Sequence, residues 1–303
     1  MSDQLASLSP LVPLGRTGIS VSPIAWGMWR FGRQEIPAAR GLVEAAFEAG
    51  VTLFDTADIY GFDGSSGFGD AESLLGQVLA EAPKLRDRMV LATKGGITPP
   101  VPYNSSTDYL TQALENSLKR LRTEQIDLYQ IHRPDILTHP EEVARALENM
   151  ISSGKVRAIG VSNYSVAQTR AIAELLAIPL ASHQPEFSPL HLDPMTDGLF
   201  DLAMQRGFAI LAWSPLGGGR IGQPEDDRSR AVAQVLDRKA NEAEVSRAAA
   251  AYSWIMAHPA RPIPIVGTQT RSRIAEIADA FKPRWNRKDW YDVLVASRGE
   301  TLP

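Results

Sequence analysis

The 303-residue chain contains no cysteine, which excludes disulfide cross-links, thiol nucleophiles and thiolate metal sites. No apolar run approaches the roughly 18 residues of a membrane span. Lysines and arginines form no run long enough to track a phosphate backbone, and the formal net charge is -4. Neither a membrane nor nucleic acid is therefore expected as a partner. The first residues, MSDQLASLSPLVPLG, lack the basic and then apolar layout of a secretory leader, and together with the missing cysteines this predicts a cytoplasmic protein.

What is present is ordinary for a folded enzyme: 44% hydrophobic and 22% charged residues, enough to build a large core. From Pro23 onward, short apolar or β-branched runs alternate with amphipathic stretches. The strand-like runs are PIAWGM from Pro23, VTLFDTA from Val51, MVLATK from Met89, IDLYQIH from Ile126, VRAIGVSN from Val156, LASHQ from Leu180, FAILAWS from Phe208 and PIPIVG from Pro262. Helical periodicity follows each of them, over 38–49, 70–81, 107–121, 141–152, 166–176, 195–206, 243–258 and 272–280. Ser165 and the stretch from Ser105 to Thr107 can cap helix starts, and Gly50 and Gly154 can close helix ends. Eight strand-helix units in series without a linker predict a closed (β/α)8 TIM barrel, one domain over 1–303, rather than an open sheet. PLGRTGISVS predicts a hairpin cap with a Thr-Gly turn, and 226–238 and 286–296 predict two additional helices.

Barrels of this kind carry their chemistry at the C-terminal ends of the strands. There the second strand ends in Asp55 and leads to Tyr60, the third ends at Lys94 and the fourth at His132. An acid and an amine closing adjacent apolar strands are costly to bury unless they pair. A lysine beside a phenol is expected to pull the tyrosine below its usual value of about 10, making Tyr60 a general acid. His132 is expected to orient a substrate oxygen. Singly, each residue is more simply a cap, a loop aromatic or a satisfied polar group. Their coincidence on three consecutive strand ends gives the chemical reading its weight.

With the motifs GRTG from Gly15, FDTADIY from Phe54, ATKGG around Lys94, IHRPD from Ile131, GVSN from Gly160, AWSPLGGGR from Ala212 and VGTQTRSR from Val266, the chain resembles the aldo-keto reductase superfamily, and within it a bacterial subgroup of general oxidoreductases. The resemblance implies NADPH-dependent reduction of an aldehyde or ketone by hydride transfer, with Asp55, Tyr60, Lys94 and His132 as the catalytic tetrad. It further implies that Ser162, Asn163 and Gln184 hold the nicotinamide carboxamide, that Trp213 stacks on its ring, and that Ser214, Leu216, Gly217 and Gly218 follow the pyrophosphate. Thr268 and Arg273 fall at positions that contact the 2′-phosphate and Glu276 at one near the adenine, which favours NADPH over a tolerated NADH. Gly267 and Ile277 depart from the usual lysine and asparagine there, and Arg271 is expected to compensate. Trp29 and Phe62, with Trp285 or Trp290 from the tail, are expected to wall a pocket for a small carbonyl substrate. The rival readings are an NADPH-binding subunit without catalysis and a metal-dependent hydrolase using Asp55 and His132. The second lacks a His-x-His pair, and His183 and His191 flank a loop rather than sharing a face.

Overall fold

The computed structural model describes residue 5 and residues 9–302, so much of the segment read for a leader lies outside the described residues. A hairpin of β1 (Val12–Pro13) and β2 (Ser20–Val21) comes first. It leads into β3 (Ala25–Gly27), α1 (Ile36–Glu48), β4 (Leu53–Asp55), α2 (Asp70–Glu81), a short α3 (Lys84–Asp87), β5 (Val90–Gly95), α4 (Thr107–Leu121) and β6 (Ile126–Ile131). There follow α5 (Pro140–Ser152), β7 (Val156–Ser162), α6 (Val166–Leu175), β8 (Ser182–Gln184), α7 (Asp193–Thr196), α8 (Leu199–Arg206) and β9 (Ala209–Ala212). The chain finishes with α9 (Asp227–Glu242), α10 (Arg247–Met256), β10 (Ile263–Val266), α11 (Arg271–Ala275) and α12 (Arg287–Arg298). Strands β3 to β10 pair in parallel and in sequence, with β10 returning to β3, so the sheet is a closed eight-stranded barrel.

Apart from β8, each barrel strand divides its side chains between two cores. Leu53, Ala92, Leu128, Ala158, Leu211 and Ile263 pack inside the barrel, where Val12, Leu14, Ile19 and Val21 of the hairpin join them. The hairpin thus plugs the barrel from within one apolar cluster, as the alternation around Thr17 and Gly18 requires. Phe54, Leu91, Tyr129 and Ile159 face outward into the larger core beneath the helices. Every residue of β6 is buried, as burial on both faces requires, and its polar side chains are Asp127 and Gln130.

Local signals set the helix boundaries. Ser165 and Gln168 form a reciprocal capping box at the start of α6, and Ser106 accepts from the Tyr109 N–H at the start of α4. Gly50 and Gly154 follow α1 and α5 with φ of 84° and 74°. The stretch expected as one helix over 195–206 is instead α7 and α8, because Gly198 takes φ 93° and turns the chain between them. The expected helix over 243–258 begins only at Arg247, where Ser246 supplies the cap. The additional helices are present as α9 and α12, and α9 runs four residues past the expected end at 238. No helix among the described residues is long and apolar enough to cross a membrane.

Candidate active site

Asp55 is the last residue of β4, and the chain beyond it remains zipped to β5: the Thr56 N–H donates to the Ala92 carbonyl and the Asp58 N–H to the Lys94 carbonyl. That ladder, followed by a turn in which the Tyr60 N–H meets the Ala57 carbonyl, returns the Tyr60 side chain over Lys94. The Tyr60 carbonyl in turn accepts from the Ala71 N–H at the start of α2. His132 follows β6 and is fixed by its N–H bond to the Gly95 carbonyl. The four residues expected together are thus gathered at the C-terminal ends of β4, β5 and β6.

Lys94 is fully buried, and its ammonium donates to Asp55 Oδ2 at 2.7 Å, to the Thr56 carbonyl at 2.8 Å and to the Tyr60 hydroxyl at 3.1 Å. Burial alone would lower the lysine, but Asp55 and then Tyr60 outweigh it and hold it above its usual value, so it stays charged. For Tyr60, burial is the largest influence and raises the phenol; the Lys94 charge opposes this without reversing it. This corrects the sequence expectation of a phenol below its usual value. The ammonium does act in the expected direction, but a sequence does not show how much water the fold removes from the hydroxyl. The His132 imidazole stands edge-on to the Tyr60 ring, with centroids 5.8 Å apart. Burial, then the charges of Lys94 and Arg133, push it well below its usual value, so it is neutral.

The positions matched to the cofactor are coupled to this centre. Gln184 Nε2 donates to Asp55 Oδ1 at 2.9 Å. Asn163, at φ 60°, donates through Nδ2 to the His132 carbonyl and to Ser162 Oγ, and accepts from the Trp213 indole N–H at 2.9 Å. Ser162 Oγ donates to the Gln184 carbonyl. Beyond Trp213, Ser214, Gly217 and Gly218 all take positive φ, and Ser214 Oγ accepts from the Gly218 N–H across a tight loop over Leu216. At the end of β10, the Thr268 carbonyl accepts from the Trp26 indole, and Arg273 and Glu276 are exposed. Arg273 makes no ion pair among the described residues, whereas Arg271 lies 3.8 Å from Glu48 and Ile277 is buried.

The aromatic expectations divide. Trp29 is 67% exposed beside Arg30, whose guanidinium lies 5.9 Å from its ring. Phe62 lines a cavity of about 320 Å³ with Phe68, Thr98, Tyr109 and Arg120, a lining that includes none of Asp55, Tyr60, Lys94 or His132. Trp285 and Trp290 do not wall a pocket. Trp290 stacks on Trp254 at 4.7 Å, and the Trp285 indole donates to Ser253, so the tail aromatics pack α12 and the segment before it onto α10. Two polar residues passed over in the sequence, Gln130 and Ser182, are fully buried, and Gln130 Nε2 lies 3.4 Å from Asp55 Oδ1. For the hydrolase reading, no group of three or more His, Asp or Glu side chains among the described residues is arranged to hold a metal, and the Asp55 carboxylate is engaged by Lys94.

His183, next to Gln184 but facing outward, shows what burial does to an imidazole: it is held at about 3 and contacts Thr169 through Nδ1. Below its ordinary value near 6.5 the unfolded chain takes up a proton that the native state refuses. The stability it contributes is therefore complete above pH 6.5 and is lost as the pH falls toward 3. At pH 5 this amounts to about 2 kcal/mol. His132 acts with the same sign, and Asp58, whose carboxyl is pushed up by burial and then by Glu72, acts with the opposite one. Urea unfolding at pH 7 and pH 5 should accordingly show a smaller acid loss in His183→Gln than in the parent protein; equal losses would refute the assignment.

The family model described as the aldo/keto reductase family matches residues 23–293. A 6-dehydroglucose reductase of Novosphingobium aromaticivorans is 59% identical over 97% of this chain and 99% of its own length. A second 6-dehydroglucose reductase, from Agrobacterium fabrum, is 34% identical over 94% and 97% of the two chains. Oxidoreductase YdhF of Escherichia coli is 33% identical over 96% and 99%. Among solved structures, a thermostable aldo-keto reductase in complex with the inhibitor epalrestat has the same fold, with a TM-score of 0.82 at 24% identity over 94% of this chain and 99% of that one. The chain belongs to the aldo/keto reductase family. It is an NAD(P)H-dependent oxidoreductase that acts on a carbonyl group of a small molecule.

Proposed function

We propose that this protein reduces the aldehyde of 6-dehydroglucose, or of a closely similar oxidised hexose, with NADPH, and that Tyr60 donates the proton. The supporting observation is the way Lys94 spends its hydrogens. An ammonium has three N–H bonds. All three are directed, to Asp55, the Thr56 carbonyl and the Tyr60 hydroxyl oxygen. Tyr60 is thereby an acceptor on its inner side, and its own O–H is left to donate outward into the barrel mouth. The substrate class rests on the relative that shares 59% of its residues over nearly the full length of both chains.

Conversion of an aldehyde to a primary alcohol adds a hydride to carbon and a proton to oxygen. The nicotinamide, when bound, supplies the hydride. Tyr60 supplies the proton and becomes a phenolate, which the adjacent Lys94 charge stabilises, while Asp55 holds Lys94 in place. His132, neutral and beside the Tyr60 ring, orients the carbonyl oxygen without competing as a cation. The exposed Trp29 offers an apolar face to the C–H side of a sugar.

The residues fit a dinucleotide laid across the mouth. Asn163 and Trp213 are locked to one another beside the tetrad, the loop from Ser214 to Gly219 has open space over Gly218 and Gly219 where a ligand can approach the backbone closely, and Arg273 stands exposed without an ion-pair partner among the described residues. Arg273 is assigned to the 2′-phosphate. Arg273→Ala should raise the KM for NADPH by about 10- to 100-fold, the equivalent of the roughly 1.5–3 kcal/mol in hydrogen bonds to a charged group, and leave that for NADH unchanged. An equal rise for both cofactors would remove Arg273 from that role. The function itself is tested by following nicotinamide oxidation with 6-dehydroglucose against a panel of simple aldehydes and ketones. Highest kcat/KM on the oxidised sugar is the expected result. NADPH binding without turnover of any carbonyl would favour an auxiliary subunit instead.

A further inference from the structure

The polar layer at the level of Lys94 contains a side chain for which an ordinary core has no use. Gln130 lies in β6, two residues before His132, where the inward position below it is taken by Leu128. It is fully buried. Strand registers place Lys94 opposite Gln130, Gln130 opposite Gly160 and Gly160 opposite Ser182, so four neighbouring strands meet in one layer. Gln130 Nε2 lies 3.4 Å from Asp55 Oδ1, and its Oε1 accepts from Ser182 Oγ at 3.1 Å. This reach from β6 to β8 is possible because β7 has glycine between them: a Cβ at Gly160 would fall 2.2 Å from Ser182 Oγ and 3.2 Å from Gln130 Cγ.

We infer that Gln130, braced by Ser182 across Gly160, is a positioning residue for the reduction: it holds Asp55 Oδ1 so that Oδ2 stays on Lys94 and the ammonium stays against the Tyr60 hydroxyl. Asp55 Oδ1 has two amide neighbours, Gln184 and Gln130, and they differ in what else they touch. Gln184 stands among the residues matched to the cofactor, whereas Gln130 contacts only the barrel interior. Loss of Gln130 therefore acts on the proton donor and not on dinucleotide binding. Both consequences of its removal raise the Tyr60 phenol: the ammonium is held less firmly against it, and the Asp55 charge near it is less compensated.

The inference rests on Tyr60 being the acid, so one readout is chosen that needs no turnover. In the free protein, phenol ionisation of Tyr60 is isolated as the ultraviolet pH-titration difference between each protein and its Tyr60→Phe counterpart. Gln130→Leu should move that titration upward by about one pH unit, lower kcat about tenfold and leave the NADPH Kd within about twofold. Ser182→Ala, a smaller change that keeps the fold if Gln130→Leu does not, should move the titration in the same direction by less. A lower melting temperature with the titration and kcat unmoved would make Gln130 mere filling of the barrel and overturn the inference. So would a loss of NADPH affinity that accounts for the fall in rate. If the parent protein reduces no carbonyl at all, the proposed activity fails while the titration still decides the positioning role.

Discussion

Tyr60→Phe should lower the rate of carbonyl reduction by about 10²- to 10⁴-fold while the NADPH Kd stays within about twofold. The substitution removes one oxygen, and that oxygen accepts one Lys94 hydrogen from the Asp55–Lys94 pair at the mouth. Phenylalanine keeps the ring and its edge-on contact with His132. A loss confined to kcat therefore reports the proton and not the packing. Equal turnover by the two proteins across a panel of active substrates would remove Tyr60 from the chemistry.

Lys94→Met should destabilise the fold by about 3–5 kcal/mol as well as abolish reduction, because it leaves the Asp55 carboxylate buried without its counter-charge. The pair separates structural from chemical roles. Adding Asp55→Asn to Lys94→Met removes the stranded charge, so urea denaturation should show most of that stability returning, with activity still absent. Should the double variant be no more stable than the single one, the two residues would not be acting as a desolvated ion pair. Recovery of activity along with stability would show that Lys94 matters only for folding.

The barrel was legible in the sequence because its strands are buried on both faces and so read as short apolar runs with a regular helical interval between them. The tetrad was legible for a related reason: Asp55, Lys94 and His132 interrupt or end those runs where an apolar residue would be the default. Gln130 carries the same signal. It is the one polar inward residue between Leu128 and His132 in IDLYQIH, and Ser182 stands two residues before Gln184 with the same parity. Parity along the strand could have found both. The sign of the Tyr60 shift could not be read in this way, since it turns on how far loop closure excludes water from a hydroxyl. Nor could the sequence tell a tail tryptophan facing a pocket from one packed on α10, because the side chain offers the same apolar ring and N–H donor to either environment. The break at Gly198 is an intermediate case: a glycine within a helical pattern is a warning, and here it marks a turn.

The most direct test of the account is the position of the label after a single turnover of 6-dehydroglucose with NADPH deuterated at the transferring position of the nicotinamide, read by NMR of the product. Glucose carrying one deuterium on C6, formed by the parent protein and only in traces by Tyr60→Phe, is the predicted result. Consumption of the reduced cofactor without deuterium on that carbon, or equal labelled product from both proteins, would contradict it.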